Sequence, residues 1–505
     1  MNTRNLYMLL LLSRIAFAQL GTPPAPPGLG GAAIQLPLSG RAGSTGGVSA
    51  AQTALPGITT SVNTLNTTVQ VQGPYAGSAS STGHVPFSGR LSLREALERA
   101  VEYNLGAVGL SQAVRQVHGQ QRVARSALLP NLNSALRENV QQVNLQALGV
   151  RIPIAPQVVG PFNYFDLRAT LTQTVADLTA LNNYRAVQDV ARASRQSLED
   201  ARDLVVLAVG GAYLQAIAAG ARVESARAQL ATARALYQQT LDRRKAGLIA
   251  QVDVNRSLVE QQTQQQRLVT LENDLAKQKI NLARLTGLPP NERYELTDDV
   301  PFSEVPSLTF EDALKQAFES RPDLQAAESQ IRGAERARSA ARAERLPSLA
   351  LSADYGVIGT NPAQSHGTFT FVGTLRFPIW QGGRTEGNIE QAEAALDQRR
   401  AEFEDVRGRI ESDLRNAFLD IQAAASQLGV ARNNQEVSRQ TLDLTRQRYE
   451  SGIADAVELV QSQEGIATAD LDYITALFAH NLAKLTLARA LGGAGQNVQR
   501  FLNIH

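Results

Sequence analysis

The chain of 505 residues contains no cysteine, and its two methionines, Met1 and Met8, fall within the first ten positions. Without thiols there is no disulfide framework and no attachment point for a lipid on a processed N-terminus. Without methionine beyond Met8 there is no thioether relay for a soft metal ion. Histidine is almost as scarce: His84, His118, His366, His480 and His505 are scattered, none at ligand spacing from another. Neither sign of charge dominates, with Lys+Arg 49 against Asp+Glu 47. No basic block is interleaved with aromatics, so nothing selects a nucleic acid. Gly382-Gly383 and Gly492-Gly493 lack the lysine-serine/threonine ending of a phosphate-binding loop. Carboxylates are spread too evenly to single out an acid–base pair, and no nucleophile stands out. The expectation is a protein without catalytic centre, metal or cofactor.

Long apolar runs are missing too. Beyond the N-terminus none reaches 18 residues, the nearest being Leu204 to Val209, which stops at Gly210-Gly211. At the N-terminus, Arg4, the apolar stretch Leu6 to Leu12 and the triplet Ala16-Phe17-Ala18 stand in the order of a secretory signal, residues 1–18, cleaved after Ala18. A mature chain that leaves the cytoplasm without an apolar helix can cross a membrane only as strands of a closed barrel. Residues 19–90 are rich in Gly, Pro, Ser, Thr and Ala and read as a flexible low-complexity extension.

What is abundant is internal repetition. Leu91 to Leu97 (Leu-Ser-Leu-Arg-Glu-Ala-Leu) matches Leu308 to Leu314 (Leu-Thr-Phe-Glu-Asp-Ala-Leu), and Leu129-Pro130 matches Leu346-Pro347, both at one offset (308 − 91 = 217; 346 − 129 = 217). Further on, Ala212-Tyr213-Leu214 matches Ala417-Phe418-Leu419, Gly247 matches Gly452, and Leu282-Ala283-Arg284 matches Leu487-Ala488-Arg489, at a second offset (452 − 247 = 205). The chain is therefore two copies of one unit, residues 91–287 and 308–492, joined by a linker over 288–307 and followed by a tail over 493–505. The offset falls between the two blocks, so the first copy has extra residues, placed in a surface loop around Val150 to Gln157 with its two prolines.

Each copy changes period midway. Phe165, Leu167, Ala169, Leu171 and Val175 alternate with Asp166, Arg168, Thr170, Thr172 and Thr174, and Phe369, Phe371, Leu375, Phe377 and Ile379 alternate with Thr368, Thr370, Thr374 and Arg376. With the candidates over 131–144 and 348–358 these make four strands, each apolar on one face and polar on the other. After each second strand the pattern becomes helical and free of proline, with apolar spacings of three and four, as in Ile410, Leu414, Phe418 and Ile421. Each long helix is expected to turn back at Gly247 or Gly452 into an antiparallel partner. Strands of about ten residues with outward Phe/Leu and inward Thr/Arg suit a water-filled barrel, which about eight strands or more are needed to close. The barrel must be shared among protomers.

This order, taken twice, resembles the outer membrane efflux protein family typified by TolC: an Ala-Leu-rich helix, Leu-Pro, two strands, a long hairpin turning at Gly, and a closing Leu-Ala-Arg-x-x-Gly. The strand exits Gln173 to Asp177 and Phe377-Pro378-Ile379-Trp380 are also similar to that family, although Thr174 stands where the second copy has Pro378. The resemblance implies a mixed α and transmembrane β fold, a long α-helical barrel joined to a β-barrel with four strands per protomer and twelve in a homotrimer. It implies an outer-membrane channel with its helices in the periplasm, serving as passive exit duct of a tripartite efflux or type I secretion system. Its partners would be outer-membrane lipid, a periplasmic adaptor (membrane fusion) protein and an inner-membrane pump. By motif position the adaptor would meet Gly247, Leu248, Gly452 and Ile453 at the tips, Glu458 would form an acidic ring at the periplasmic aperture, and Tyr449 with Asp253 would form a latch. Gln461 and Ala454 stand where the family can carry a second acid and a latch arginine, which implies a single, weaker ring and a looser latch. Read without the resemblance, both glycines are ordinary left-handed turn residues and Glu458 a solvated helix charge. The competing architectures are a periplasmic adaptor, which carries one hairpin between small β-domains, and a structural coiled coil of the envelope, which needs no strands.

Overall fold

The computed structural model describes residues 32–37, 46–56, 63–79, 87–147, 149, 156–298, 302–303 and 308–502. The signal sequence expected over residues 1–18 lies outside them, as does most of the proline-bearing loop. The chain divides into two compact units: Met1–Ser39, Gln116–Ala191 and Ser329–Arg400 form one, and Gly40–Arg115, Arg192–Glu328 and Ala401–His505 form the other.

The first unit is built on a four-stranded antiparallel sheet of β4 (Asn131–Asn144), β5 (Val158–Ala176), β7 (Ser348–Gly359) and β8 (Ser365–Arg376), in that spatial order. The two strand pairs of the sequence repeats thus join in one sheet, through β5 and β7. The register aligns Leu136 with Leu167, Leu167 with Val357, Ala169 with Tyr355, and Tyr355 with Phe369. Because side chains alternate along a strand, this register gathers the apolar residues on one face. On the single chain that face is bare: Leu132 is 72% exposed, Tyr355 66% and Phe369 79%. The opposite face carries Asp166, Arg168, Thr170, Asp354 and Thr368. One difference from the sequence reading is that β8 ends at Arg376; Pro378 cannot donate to a ladder, so Phe377 and Ile379 follow the strand rather than extend it.

Two helices of unusual length leave the sheet, α3 (Leu178–Lys245, 68 residues) and α7 (Arg384–Glu450, 67 residues), each returning as a shorter antiparallel helix, α4 (Gln251–Thr286) and α8 (Ala456–Ala490). The α3 helix holds an 18-residue stretch apolar enough to cross a membrane, but most of it is buried within the protein, as befits a core helix.

That core lies in the second unit. Tyr213 and Leu414 are wholly buried there beside Leu91, Leu282, Leu485 and Leu487, so three of the repeated motifs contribute; each such leucine contributes roughly 2 kcal/mol by leaving water. The Tyr213 hydroxyl donates to the Leu91 carbonyl at 2.9 Å and to Asp298, whose carboxylate also accepts from Leu93 N–H. Two short helices precede each strand pair: α1 (Leu93–Tyr103) and α2 (Leu105–Ser126), then α5 (Phe310–Ser320) and α6 (Pro322–Ala343). The breaks between them, at Asn104 and Arg321, fall at the same offset as the motifs (321 − 104 = 217) and share an extended backbone. Different side chains satisfy them: Asn104 donates to Tyr75 O and accepts from Gly106 N–H, whereas buried Arg321 pairs with Asp323 at 2.7 Å and Asp413 at 3.2 Å. Those contacts hold the Asp323 carboxyl below its usual range against the opposing effect of burial.

The extension over 19–90 departs from the flexible reading wherever it is described. Val48–Pro56 (β1) and Asn63–Val71 (β2) pair antiparallel, and Val48, Ala50, Val69, Val71 and Tyr75 pack on the core of the second unit. In the first unit, Ala33 is buried and the backbone over 32–37 is held by Asn183, Glu344 and Arg399. Core surface elsewhere in the chain gives this segment the apolar contacts its own composition lacks. Likewise the tail contains a helix, α9 (Ala494–Leu502), which buries Val498, Phe501 and Leu502 and has its N-terminus capped by Asp203.

Near α9, His480 is 2% exposed, its ring 5.1 Å from Phe302, and Lys484 is fully buried, donating to the Ser303 carbonyl and hydroxyl. Burial first, and the Lys484 ammonium second, push the His480 imidazole down to about 4 from 6.5. A histidine lowered in this way contributes stability that is complete above pH 6.5 and is lost as pH falls towards 4, because the unfolded chain binds the proton first. Thermal melting of the purified protein should therefore show roughly 1.5 kcal/mol lost at this site between pH 6.5 and 5, and His480→Leu should flatten that acid limb while leaving the neutral melting temperature within a few degrees.

Candidate functional site

Among the described residues no group of three or more His, Asp or Glu is placed to hold a metal ion. The features left to carry function are the polar face of the sheet and the two helical tips.

On the sheet, Arg168 of β5 reaches across the polar face to Asp354 of β7, pairs with Asp166 at 3.3 Å, and donates to Thr368 of β8 at 3.2 Å. Gly356, directly opposite Arg168, makes the crossing possible: a Cβ there would meet the Leu167 carbonyl at 2.7 Å and Arg168 itself at 3.1 Å. Charged groups on one face and exposed Phe, Tyr and Leu on the other match a sheet with water on one side and hydrocarbon on the other.

At the first tip, α3 ends in a Schellman turn. Gly247 takes φ +77°, its N–H donates to Arg244 O at 2.9 Å, and Leu248 N–H donates to Arg243 O at 2.9 Å. The second tip repeats the design: Gly452 has φ +75°, Gly452 N–H donates to Tyr449 O at 3.1 Å and Ile453 N–H to Arg448 O at 2.8 Å. Such turns usually tuck the residue after the glycine against the helix. Here Leu248 is 73% and Ile453 72% exposed, so each tip presents an apolar side chain to its surroundings.

Glu458 lies in the first turn of α8. Asp455 caps that helix by accepting from Glu458 N–H at 2.8 Å, and the Glu458 carboxylate pairs with Arg448 at 2.5 Å. Tyr449 is 5% exposed, packed with Leu236 and Leu459, and its buried hydroxyl has no hydrogen-bond partner. Its ring faces the Arg243 guanidinium, 4.6 Å from the centroid. Asp253 pairs with Arg256 at 3.5 Å. The structure thus brings Tyr449 and Glu458 to one tip, but forms no Tyr449–Asp253 hydrogen bond within the protomer. Arg243 and Arg448 escaped the sequence reading. Each sits in the last turn of its helix, where a basic residue is expected simply to offset the helix dipole, so only their facing partners distinguish them.

Comparison with known proteins agrees with these features. The family model described as outer membrane efflux protein matches residues 105–288 and 313–493. Outer membrane protein OprJ of Pseudomonas aeruginosa is 27% identical over 440 residues, covering 82% of this chain and 86% of that protein, and the pyoverdine export outer membrane protein OpmQ of Pseudomonas putida is 26% identical over 401 residues, covering 76% and 82%. Among solved structures, a membrane protein from Pseudomonas aeruginosa has TM-score 0.70 at 22% identity, covering 82% of this chain and 92% of that one. The CmeC outer membrane channel of Campylobacter jejuni has TM-score 0.69 at 15% identity, covering 85% and 95%.

Both tip glycines have open space where a side chain would go, so substitution there probes backbone strain alone. Gly247→Ala and Gly452→Ala should each cost about 1 kcal/mol, read as faster amide exchange in the last turns of α3 and α7 with the rest of the molecule unchanged. With the family model matching both halves, and the fold shared with solved outer-membrane channels, the chain belongs to the outer membrane efflux protein family.

Proposed function

We propose that this protein is the outer-membrane exit duct of a tripartite efflux or type I secretion system, a passive conduit from periplasm to exterior that works as a homotrimer. The observation that carries the proposal is the four-stranded sheet, apolar on one face and charged on the other, with both edge strands unpaired. Open edges cannot stay in hydrocarbon, where each unmade backbone hydrogen bond costs several kcal/mol. Pairing β8 of one copy with β4 of the next satisfies them, and three copies supply twelve strands. A periplasmic adaptor has no use for such a sheet, nor has a purely structural coiled coil.

Gly247, Leu248, Gly452 and Ile453 are the adaptor contact in this reading, with an inner-membrane pump behind the adaptor. The exposed Leu248 and Ile453 favour it, since neither contributes to its own turn by packing. Glu458 is the aperture acid, but Arg448 at 2.5 Å offsets its charge, so the ring is weaker than an unpaired carboxylate would make it. What passes through is set by the pump, and efflux substrates of the relatives remain properties of those relatives.

Single-channel recording of the purified protein in planar bilayers tests the duct. The wild type should conduct with modest cation preference, Glu458→Ala should reduce that preference slightly, and Arg448→Ala should raise it on the order of two-fold by unmasking the carboxylates. Well-folded oligomer that never conducts, in any of the three forms, would remove the duct reading. Leu248→Asp with Ile453→Asp should leave conductance and melting unchanged and abolish capture of the adaptor encoded with the pump.

A further inference from the structure

One contact between the two hairpins at their tips is made by a residue outside the expected aperture set. Arg243 stands in the last turn of α3 before Gly247, and Tyr449 in the last turn of α7 before Gly452. The guanidinium lies 4.6 Å from the centroid of the Tyr449 ring and donates to the Tyr449 carbonyl at 3.4 Å. That carbonyl also accepts Gly452 N–H, so it is part of the second turn itself. Three attractions therefore act on one cation: the face of an aromatic ring, a carbonyl oxygen, and the negative end of a long helix. The ring is fixed from behind by Leu236 of α3 and Leu459 of α8, with Leu442 and Ala454 packed around them.

The phenol hydroxyl takes no part. It is shut off from solvent and has no hydrogen-bond partner, and the Asp253 carboxylate is engaged with Arg256. A latch working through the hydroxyl would need both groups to leave their present positions.

We propose that Arg243 is the positioning residue that ties the second hairpin's tip to the first, through the face of Tyr449 rather than its hydroxyl, so that displacing either tip displaces both. The inference deepens the duct reading and rests on it for its consequence at the aperture. A partner that docks on Leu248 pulls on the turn that begins at Arg243, and the pull arrives at Tyr449, next to the Arg448–Glu458 pair. Conversely, without the tie only the packing on Leu236 remains, and the second tip moves more freely against the first.

The absence of native cysteine makes the measurement direct. Spin labels on Leu248→Cys and Ile453→Cys, in samples diluted with unlabelled protein, report the distance between the two tips. Arg243→Ala should lengthen and broaden that distribution and raise unitary conductance on the order of two-fold or more as the tied population falls. Arg243→Lys should retain much of the wild-type distance, because an ammonium is also attracted to a ring face. Arg244→Ala removes the same charge from an exposed neighbour and should change neither readout; Tyr449→Phe keeps the ring and should change neither, whereas Tyr449→Leu should behave as Arg243→Ala. Unchanged tip distances in Arg243→Ala overturn the proposal. So does a Tyr449→Phe protein whose tips separate as far as those of Arg243→Ala, which would assign the latch to the hydroxyl. A wild type that fails to conduct removes the duct, while the distances still decide whether Arg243 ties the hairpins.

Discussion

The backbone amide of a strand in hydrocarbon has nothing to bond with except another strand, and the rest of this structure follows from that constraint. The four strands pair among themselves on three seams and leave two edges open. Their order, with β5 and β7 at the centre, puts one strand pair of each repeat on either side of the middle seam, so neither repeat has a complete sheet alone. The register then decides which face is apolar, since a shift of one residue would exchange Leu136, Leu167 and Phe369 for their neighbours Arg137, Asp166 and Thr368.

In the second unit a different interaction takes over. The core draws on the repeated motifs, Leu91, Tyr213, Leu282 and Leu487, with Leu308 and Phe418 packed against them, so duplication supplies these motifs twice to one shared interior. Where the backbone breaks, polar side chains take over. At Asn104 an amide closes the gap with neutral hydrogen bonds, while at the equivalent Arg321 an ion pair does so, and the buried carboxylates nearby show the strain of such groups: burial raises Asp200 and Asp203 despite the Arg489 guanidinium that opposes it. The two halves thus solve one geometric problem with unlike chemistry.

Much of this was legible in the chain. The 217 and 205 offsets, the change from period two to period three-and-four, and the glycines at 247 and 452 were sufficient for strands, helices and turns, because each is a local pattern. The strand pair Val48–Pro56 and Asn63–Val71 was missed for a related reason: it forms because Val48, Val69 and Val71 find a core made elsewhere. At the tips, turn geometry could be read from the glycines, but pairings could not. Arg243 to Tyr449 spans more than 200 positions, Arg448 to Glu458 crosses a turn, and nothing in the spacing favours those basic residues over Arg244 or Lys245.

The open sheet also governs how the protein comes into being. A solitary chain carries a bare face with Tyr355 and Phe369 and two unsatisfied edges, the combination that invites aggregation in water. Neither is relieved until further copies arrive, so completion of the barrel depends on encounter, and its rate rises steeply with the local concentration of chains. The helical core, by contrast, is complete within one protomer. A shortage of copies therefore leaves intermediates whose core is finished while their strands, and exposed helix residues such as Leu419 and Leu444, wait for a neighbour.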